Sequence, residues 1–333
     1  MNIIFRVDSH KNIGAGHAMR CISLAEEFLR QNYSVIFLSK NQIDFVKDIL
    51  KQKKIELIEI DENIDSDEEI VLIKKIIIEK KIETLILDGY QFDNNYQKKL
   101  KENNIKFAYI TDYSVEHSAD FLICPTPGLI PEIFKGPADC QYFIGHEYVF
   151  LRDEIIECKN NFIRSDRQNL KIVIAFGASF FSAEIIRKFV EMFEKYFIKI
   201  EVNFIVGINS VKDSLEKQFC DKKNKYLFTA FDKFHPEIMA DADLAITTAS
   251  TMFWEFNYFE IPAIIFFIAD NQKGNTVWLE NNNVAVSVGN LFDFDEENIK
   301  RIIQAYIINI MNGLKCRRIV DAIGKKRILK DIF

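Results

Sequence analysis

The stretch I13-G-A-G-H-A-M-R20 holds the residue types best suited to chemistry in the first part of the chain. It follows an apolar run and precedes a segment with apolar residues at helical spacing. Gly14 and Gly16 would let the backbone approach a ligand closely. His17 would lie at a helix start, where the helix dipole favours a neutral imidazole that can act as a general base. The alternative is a tight turn whose histidine only caps the helix.

The two glycines do not complete the dinucleotide-binding fingerprint. Met19 stands where a third glycine is needed, and no clear ribose-binding acid follows the second apolar run. A G-x-G pattern alone is weak support for a nucleotide site. The helix that begins here would still direct its partial positive charge at an anionic group.

The elements that must position these residues alternate between short apolar runs and amphipathic segments. The predicted strands of the first half are 3–7, 35–38, 55–60, 84–87, 106–110 and 121–123. The predicted helices between them are 18–30, 42–52, 67–80 and 94–102. This alternation predicts βαβ units, hence a parallel sheet covered on both faces and a doubly wound, Rossmann-like domain.

The same rhythm restarts after a region rich in Pro and Gly. The predicted strands of the second half are 172–176, 202–206, 226–228, 244–247, 263–267 and 284–286, and helices 294–311 and 315–329 close the chain. A chain of 333 residues is long for one core. We therefore predict an α/β protein of two Rossmann-like domains, 1–155 and 156–333, that face each other across a cleft.

Ligands of doubly wound sheets bind at the carboxyl ends of the strands. In the first half these ends carry Asp88 and Tyr90, and the loop T111-D-Y-S-V-E-H117. Asp88 could equally cap the next helix. A metal cluster in the loop is possible, but no ligand spacing is diagnostic.

In the second half, Gly177 and Ser179 follow one predicted strand, and Ser250 and Thr251 follow another. Hydroxyls and free N–H groups at a helix start suit a diphosphate. Glu255, one turn into that helix, could accept hydrogen bonds from both hydroxyls of a ribose. Alternatively, Glu255 is an acidic residue favoured near a helix start by the dipole.

Composition excludes some classes of partner. The net charge of −6 and a pI near 5.6 argue against nonspecific nucleic-acid binding. The apolar run 261–268 is too short to span a membrane, and the start of the chain lacks the pattern of a signal peptide. The six scattered cysteines form no C-x-x-C pair, so we expect reduced thiols, a cytoplasmic location and no zinc site.

Taken together, the motifs resemble those of a known family, the PseG-type hydrolases of the pseudaminic acid pathway. The matching segments, in the family's order, are F5-R-V-D-S9, I13-G-A-G-H-A-M-R20, D88-G-Y90, H117-S-A-D120, Y148-V-F-L-R-D-E154, A249-S-T251 with Glu255, the pair Ile261 and Pro262, and the pair Asn271 and Gln272. These matches extend over roughly residues 1–285. Their number and order make the resemblance more specific than any single motif.

The resemblance implies a GT-B fold related to that of MurG, the glycosyltransferase that forms lipid II. It implies hydrolysis of UDP-2,4-diacetamido-2,4,6-trideoxy-β-L-altropyranose with inversion at the anomeric carbon and without a metal or other cofactor. His17 would activate water, Tyr90 would lie near the reacting sugar, and Glu255 would bind the ribose. The substrate-binding set would be Arg6, Asp8, Gly14, Gly16, Arg20, Asp88, His117, Arg152, Gly177, Ser179, Ser250, Thr251, Glu255, Asn271 and Gln272.

Two other functions remain open at this stage. A glycosyltransferase of the same fold would use an acceptor hydroxyl in place of water. A UDP-sugar-binding protein without turnover would keep the nucleotide site alone. In each case the expected partner is a UDP-sugar, with no nucleic acid or membrane, and the family suggests a monomer.

Overall fold

A computed structural model describes residues 2–10, 14–164, 169–177, 182–207, 212–231, 235–313 and 315–332. The chain divides into two compact units. The first unit comprises Met1–Asp153 together with Ala322–Phe333, and the second comprises Glu154–Asp321. The division lies close to the predicted domain boundary.

The first unit is built on a parallel sheet of seven strands. The strands are β1 (Asn2–Val7), β2 (Ser34–Ser39), β3 (Glu56–Glu59), β4 (Ile82–Asp88), β5 (Phe107–Ile110), β6 (Phe121–Cys124) and β7 (Gln141–Ile144). Their order is β3-β2-β1-β4-β5-β6-β7, and every pairing is parallel. The chain therefore reverses its winding direction between β1 and β4. The edge strand β7 was not predicted, because its four residues follow the Pro- and Gly-rich region.

The helices of this unit are α1 (Gly16–Arg30), α2 (Asp44–Gln52), α3 (Ser66–Lys80) and α4 (Asn94–Glu102). The side chain of Asp65 caps the start of α3, and that of Asp93 caps α4. Helix α1 has no side-chain cap and no acidic residue in its first turn. The N–H groups of its first turn are thus left for another partner.

The second unit repeats the topology with six strands. They are β8 (Leu170–Ala175), β9 (Ile200–Val206), β10 (Lys225–Ala230), β11 (Leu244–Thr248), β12 (Ala263–Phe267) and β13 (Val286–Asn290), in the order β10-β9-β8-β11-β12-β13. All pairings are parallel. The last strand begins at Val286, where the predicted strand ended, because Val284 and Ala285 still belong to the preceding turn.

The helices of the second unit complete a Rossmann-like layer on either side of the sheet. They are α5 (Asp153–Asn161), α6 (Ala183–Tyr196), α7 (Lys212–Phe219), α8 (Pro236–Ala240), α9 (Thr251–Tyr258), α10 (Lys273–Asn281) and α11 (Glu296–Met311). A core of aliphatic and phenylalanine side chains from β8, β9 and α6 fills the space on one face. The prediction of two doubly wound parallel sheets is confirmed.

The carboxyl-terminal helix α12 (Gly324–Ile332) groups with the first unit, which corrects its assignment to the second domain. Nζ of Lys325, which is 2% exposed, lies 2.8 Å from Oδ1 of Asp153 and 3.6 Å from Oε2 of Glu26 on α1. The predicted helix 315–329 is also wrong at its start. Residues 315–321 form no regular secondary structure, and the side chain of Asn257 on α9 accepts hydrogen bonds from the N–H groups of Ile319 and Val320.

Candidate active site

The sequence-predicted base lies at the point where the first sheet reverses its winding. Strand β1 runs into the loop that leads to His17, and the neighbouring strand β4 ends at Asp88. Val7 is paired with Asp88 in the register of the two strands. This switch point is where doubly wound sheets bind their ligands.

His17 and Asp88 form a hydrogen-bonded pair at this position. Nδ1 of His17 lies 2.6 Å from Oδ1 of Asp88, and the two residues are 8% and 0% exposed. Because a carboxylate can only accept, Nδ1 carries the proton. The lone pair of the imidazole is then on Nε2, which leaves that nitrogen able to accept a proton.

The carboxylate of Asp88 is fixed by three further contacts. Nε and Nη2 of Arg20 donate to Oδ2 and Oδ1 at 2.5 and 2.7 Å, and the thiol of Cys21 donates to Oδ2 at 3.3 Å. Although burial raises the pKa of Asp88, the charges of Arg20 and His17 outweigh it and bring that pKa to about 2. Asp88 is therefore ionised throughout the physiological pH range.

Arg20 lies between two carboxylates. Its Nη1 donates to Oδ1 of Asp112 at 2.5 Å, on the opposite side from Asp88. The guanidinium is 6% exposed, whereas the side chain of Asp112 is 28% exposed. Three of the five N–H donors of Arg20 thus bind protein carboxylates, and its predicted role in substrate binding stays a prediction.

Tyr90 covers His17 from the loop that follows β4. The two rings meet edge to face with centroids 4.7 Å apart, and Tyr90 is 45% exposed. Its hydroxyl lies 3.5 Å from Oδ2 of Asp112. Burial and the Asp112 charge raise the pKa of Tyr90, so its hydroxyl stays protonated and can donate a hydrogen bond. The structure thus brings together the two residues predicted to be catalytic.

Glycine occupies positions 14 and 16 for different structural reasons. Gly14 has φ +77°, a conformation that side-chain-bearing residues rarely adopt, and its N–H donates to the carbonyl of His10 at 2.7 Å. Gly16 has a helical conformation, and a Cβ there would meet no atom of the described residues within 4 Å. The fold therefore requires glycine at 14, while glycine at 16 leaves open space beside the first turn of α1.

Two predicted substrate-binding residues are instead internal partners of the sheet. Nη1 of Arg6 lies 2.7 Å from Oδ1 of Asp8, and its Nε donates to Glu69 at 2.7 Å. Asp8 also accepts from the N–H of Lys40 at 2.7 Å and from the amide of Gln91 at 3.0 Å. Arg6 is 1% exposed, and the predicted substrate-binding role of both residues stays a prediction.

His117 is likewise a structural residue. Its Nδ1 accepts from the N–H of Ala119 at 3.3 Å, and its Nε2 lies 3.3 Å from the hydroxyl of Tyr142 on β7. The residue is 3% exposed, and burial lowers the pKa of His117 to about 4. A neutral imidazole with these internal contacts supports the loop, and the predicted substrate-binding role of His117 stays a prediction.

The second unit presents an uncapped helix start at its own switch point, between β8 and β11. Ser250 precedes α9 without capping it, and its hydroxyl lies 2.9 Å from that of Thr248. Thr251 is the first residue of the helix, and the first turn holds no acidic side chain. The N–H groups and the dipole at a helix start favour an anion, and the diphosphate site expected here stays a prediction.

Of the remaining predicted residues, Glu255, Asn271 and Gln272 follow this helix start in the sequence, and Arg152, Gly177 and Ser179 precede it. Glu255 is 4% exposed on α9. Oε1 of Gln272 accepts from the N–H of Ile268 at 3.0 Å, next to the half-buried Asn271. Gly177 has φ +92° two residues after β8. Ser179 lies outside the described residues, and Arg152 is half-buried directly before α5.

Sequence reasoning missed Asn275 on α10. Its Nδ2 donates to the carbonyl of Ala249 at 3.0 Å, which fixes the turn before α9. Its Oδ1 is buried and has no hydrogen-bond partner among the described residues. It also missed Asp112 and Cys21, whose partners lie 92 and 67 positions away in the chain. No local pattern could have identified those contacts.

The described residues offer neither a metal centre nor a membrane span. No group of three or more His, Cys, Asp or Glu side chains among them is arranged to hold a metal ion. Among the helices of the same residues, none is both long and apolar enough to cross a membrane.

The fold defines the class of protein. The chain superposes on MurG of Acinetobacter baumannii with a TM-score of 0.70 and 12% identity, covering 99% of this chain and 98% of that one. It also superposes on the UDP-GlcNAc 2-epimerase of Neisseria meningitidis bound to UDP-GlcNAc, with a TM-score of 0.65 and 12% identity over 100% and 99% of the two chains. The predicted GT-B fold of two Rossmann-like domains is confirmed.

Sequence comparison adds a more particular relationship. Residues 158–307 match the glycosyltransferase family 28 C-terminal domain. An uncharacterised protein of Methanocaldococcus jannaschii is 25% identical over 285 residues, 82% of this chain and 57% of that protein. The UDP-2,4-diacetamido-2,4,6-trideoxy-β-L-altropyranose hydrolase of Campylobacter jejuni is 27% identical over 165 residues, 48% of this chain and 56% of that protein. The chain thus spans a little over half the length of these two curated relatives.

Proposed function

We propose that this protein hydrolyses a UDP-linked diacetamido-trideoxy hexose to UDP and the free sugar. The observation that carries the proposal is the His17–Asp88 pair, with Nδ1 2.6 Å from the carboxylate and the proton-accepting Nε2 directed away from it. A histidine oriented by an ionised carboxylate is the arrangement by which enzymes generate a nucleophile from a hydroxyl or from water.

In the proposed reaction, Nε2 of His17 takes a proton from water as the water oxygen attacks the anomeric carbon. The bond between that carbon and the phosphate oxygen breaks, and its electron pair leaves with UDP. Attack opposite to the leaving group inverts the anomeric centre. Asp88 stabilises the imidazolium that forms, and the proton returns from His17 to solvent.

The second unit would hold the nucleotide. The uncapped start of α9 at Ser250 and Thr251 suits the diphosphate, and the buried Glu255 suits the ribose hydroxyls. The match of residues 158–307 to a glycosyltransferase C-terminal domain supports this division of roles. The likeness to the Campylobacter jejuni hydrolase supports UDP-2,4-diacetamido-2,4,6-trideoxy-β-L-altropyranose as the substrate.

A glycosyltransferase is the second candidate, and the same domain match favours it. His17 would then deprotonate an acceptor hydroxyl instead of water. The test is to incubate the protein with the UDP-linked altrose derivative in water alone and to follow the anomeric protons by NMR. Hydrolysis predicts free sugar that appears first as the inverted anomer.

Three other outcomes would overturn the hydrolase. Turnover that begins only after an acceptor sugar is added would indicate a transferase. A UDP-sugar that changes configuration but stays attached would indicate an epimerase, and binding without turnover would indicate a non-catalytic protein. His17→Ala should lower the hydrolysis rate by about 10²–10⁴-fold. Full activity in that variant would exclude His17 as the base.

A further inference from the structure

Two contacting tyrosine rings lie at the carboxyl ends of neighbouring strands, next to His17. Tyr90 follows β4 and Tyr113 follows β5, and these two strands are paired in the first sheet. The ring centroids of Tyr90 and Tyr113 are 5.8 Å apart, and their planes are inclined by 35°. Tyr90 in turn meets the imidazole of His17 edge to face. Tyr90 and Tyr113 therefore form one aromatic surface that begins beside the proposed base.

The loop after β5 fixes the position of Tyr113. The hydroxyl of the buried Thr111 donates to the carbonyl of Tyr113 at 3.1 Å and accepts from its N–H at 3.4 Å. The hydroxyl of Thr126 donates to the carbonyl of Asp112 at 2.8 Å, which holds the turn from the other side. The aromatic surface is therefore positioned by the fold before any ligand binds.

This surface is uncharged and partly open to solvent. Tyr90 is 45% exposed, and Tyr113 is half-buried. Burial and the charge of Asp112 raise the pKa of Tyr90 and that of Tyr113, so both phenols stay neutral at physiological pH. The face of a neutral aromatic ring is apolar and carries a partial negative charge, so it favours contact with C–H and methyl groups. A hydroxyl placed on the same face would lose its hydrogen bonds to water.

We propose that Tyr113, together with Tyr90, binds the apolar side of the sugar and favours a hexose with a methyl group at C6 over one with a hydroxyl there. This inference rests on the proposed function, which brings the anomeric carbon next to His17. The substituents at C4 and C5 are farther from that carbon, and Tyr113 is the next ring beyond Tyr90. A 2,4-diacetamido-2,4,6-trideoxy hexose has methyl groups at C6 and on both acetamido groups, which suits such a surface. Tyr113 is thus a specificity-determining residue that takes no part in the chemical step.

Substitutions of Tyr113 should change the choice of sugar. Tyr113→Ser removes the apolar contact, so kcat/KM for the UDP-linked altrose derivative should fall by about 10-fold, with no change in the Kd for UDP. The analogue with a hydroxyl at C6 should lose less, so the preference for the deoxy sugar narrows. Tyr113→Phe keeps the ring and should keep the preference, as should Ser114→Ala at the exposed next position. An equal loss for both sugars would show a purely structural role and would overturn the proposal.

Binding tests the same contact without turnover and in the native protein. The probe is the free diacetamido-trideoxy altrose, added with UDP to protein whose tyrosine rings carry ¹³C, and Tyr113→Phe assigns the ring signal of Tyr113. Isotope-edited NMR should show nuclear Overhauser effects from that ring to the methyl protons of the sugar. Such contacts would support the proposal even if the protein hydrolyses nothing, in which case only the proposed function fails. A sugar that does not bind, or that contacts Tyr90 without Tyr113, would overturn it.

Discussion

Nδ1 of His17 donates to Oδ1 of Asp88 across 71 positions of the chain, at the point where the first sheet reverses its winding. The first turn of α1 supplies the histidine and the end of β4 supplies the carboxylate. Arg20 and Cys21 occupy the remaining positions around Asp88. The pair thus lies at the carboxyl ends of β1 and β4, two adjacent strands in the interior of the sheet.

Asp88→Asn tests the role of the carboxylate. The new side chain could turn its amide group towards His17, which would favour the wrong tautomer, so we expect at least a roughly 10²-fold loss of kcat with little change in UDP affinity. The substitution also leaves Arg20 buried beside a neutral group. We therefore expect a loss of about 3–5 kcal/mol in the free energy of unfolding at neutral pH, measured by urea denaturation.

The stability difference between native protein and Asp88→Asn should depend on pH. The pKa of Asp88 is about 2 in the folded protein against a usual value of 3.8, so ionised Asp88 stabilises the fold above about pH 4. That contribution is lost as the pH falls from about 4 to 2. Denaturation midpoints that differ by the same amount at neutral pH and near pH 2 would contradict this account.

Gly16→Ala tests whether a ligand approaches the first turn of α1. The position is helical with open space beside it, so alanine should keep or raise stability, by up to about 1 kcal/mol. If the substrate occupies that space, kcat/KM should fall by about 10-fold or more. Gly14→Ala is the matched comparison, because its φ of +77° predicts a loss of stability instead. Unchanged kinetics in Gly16→Ala would place the substrate elsewhere.

Glu255→Ala should weaken UDP binding without affecting the base. Loss of a charged acceptor for the ribose hydroxyls predicts about a 10–100-fold higher Kd by calorimetry. Glu296→Gln, an exposed residue that pairs with Lys195 on the surface of the same unit, serves as the control. Native affinity in Glu255→Ala would remove this residue from the nucleotide site.

Lys325→Met tests the docking of α12 on the first unit. The buried ammonium pairs with Asp153 and Glu26, and its removal leaves both carboxylates without that partner. We expect a loss of about 1–3 kcal/mol in stability, visible as a lower Tm. Lys326→Met changes the exposed neighbour on the same helix and should have almost no effect. Equal Tm values for the two variants would show that α12 contributes little.

Much of the fold could be predicted because its signal is local. The apolar periodicity predicts each strand of the first unit except β7, a short edge strand, and the matching order of elements gives both sheets. Contacts between residues that lie far apart in the sequence leave no periodic pattern by which they could be predicted. Glu26 and Lys325 have the pattern of solvated helix faces, yet the packing of α12 against α1 buries both.

The site was predicted less completely for the same reason. His17 and Tyr90 follow strand ends, and their positions are a direct consequence of the topology. Arg6 and His117 occupy similar positions in the sequence, but Glu69 and Tyr142 engage them inside the protein. A residue at a strand end can bind a ligand only if its polar atoms are not already hydrogen-bonded to a side chain from a distant part of the sequence.

The most direct test of hydrolysis at the anomeric carbon is to run the reaction in H₂¹⁸O and to measure the mass of the released UDP by mass spectrometry. The account predicts UDP without ¹⁸O, because water attacks carbon and the phosphate keeps its own oxygen. It also predicts that His17→Ala slows the release of that unlabelled UDP by about 10²–10⁴-fold. UDP that carries ¹⁸O would show attack at phosphorus and would contradict the proposed role of His17.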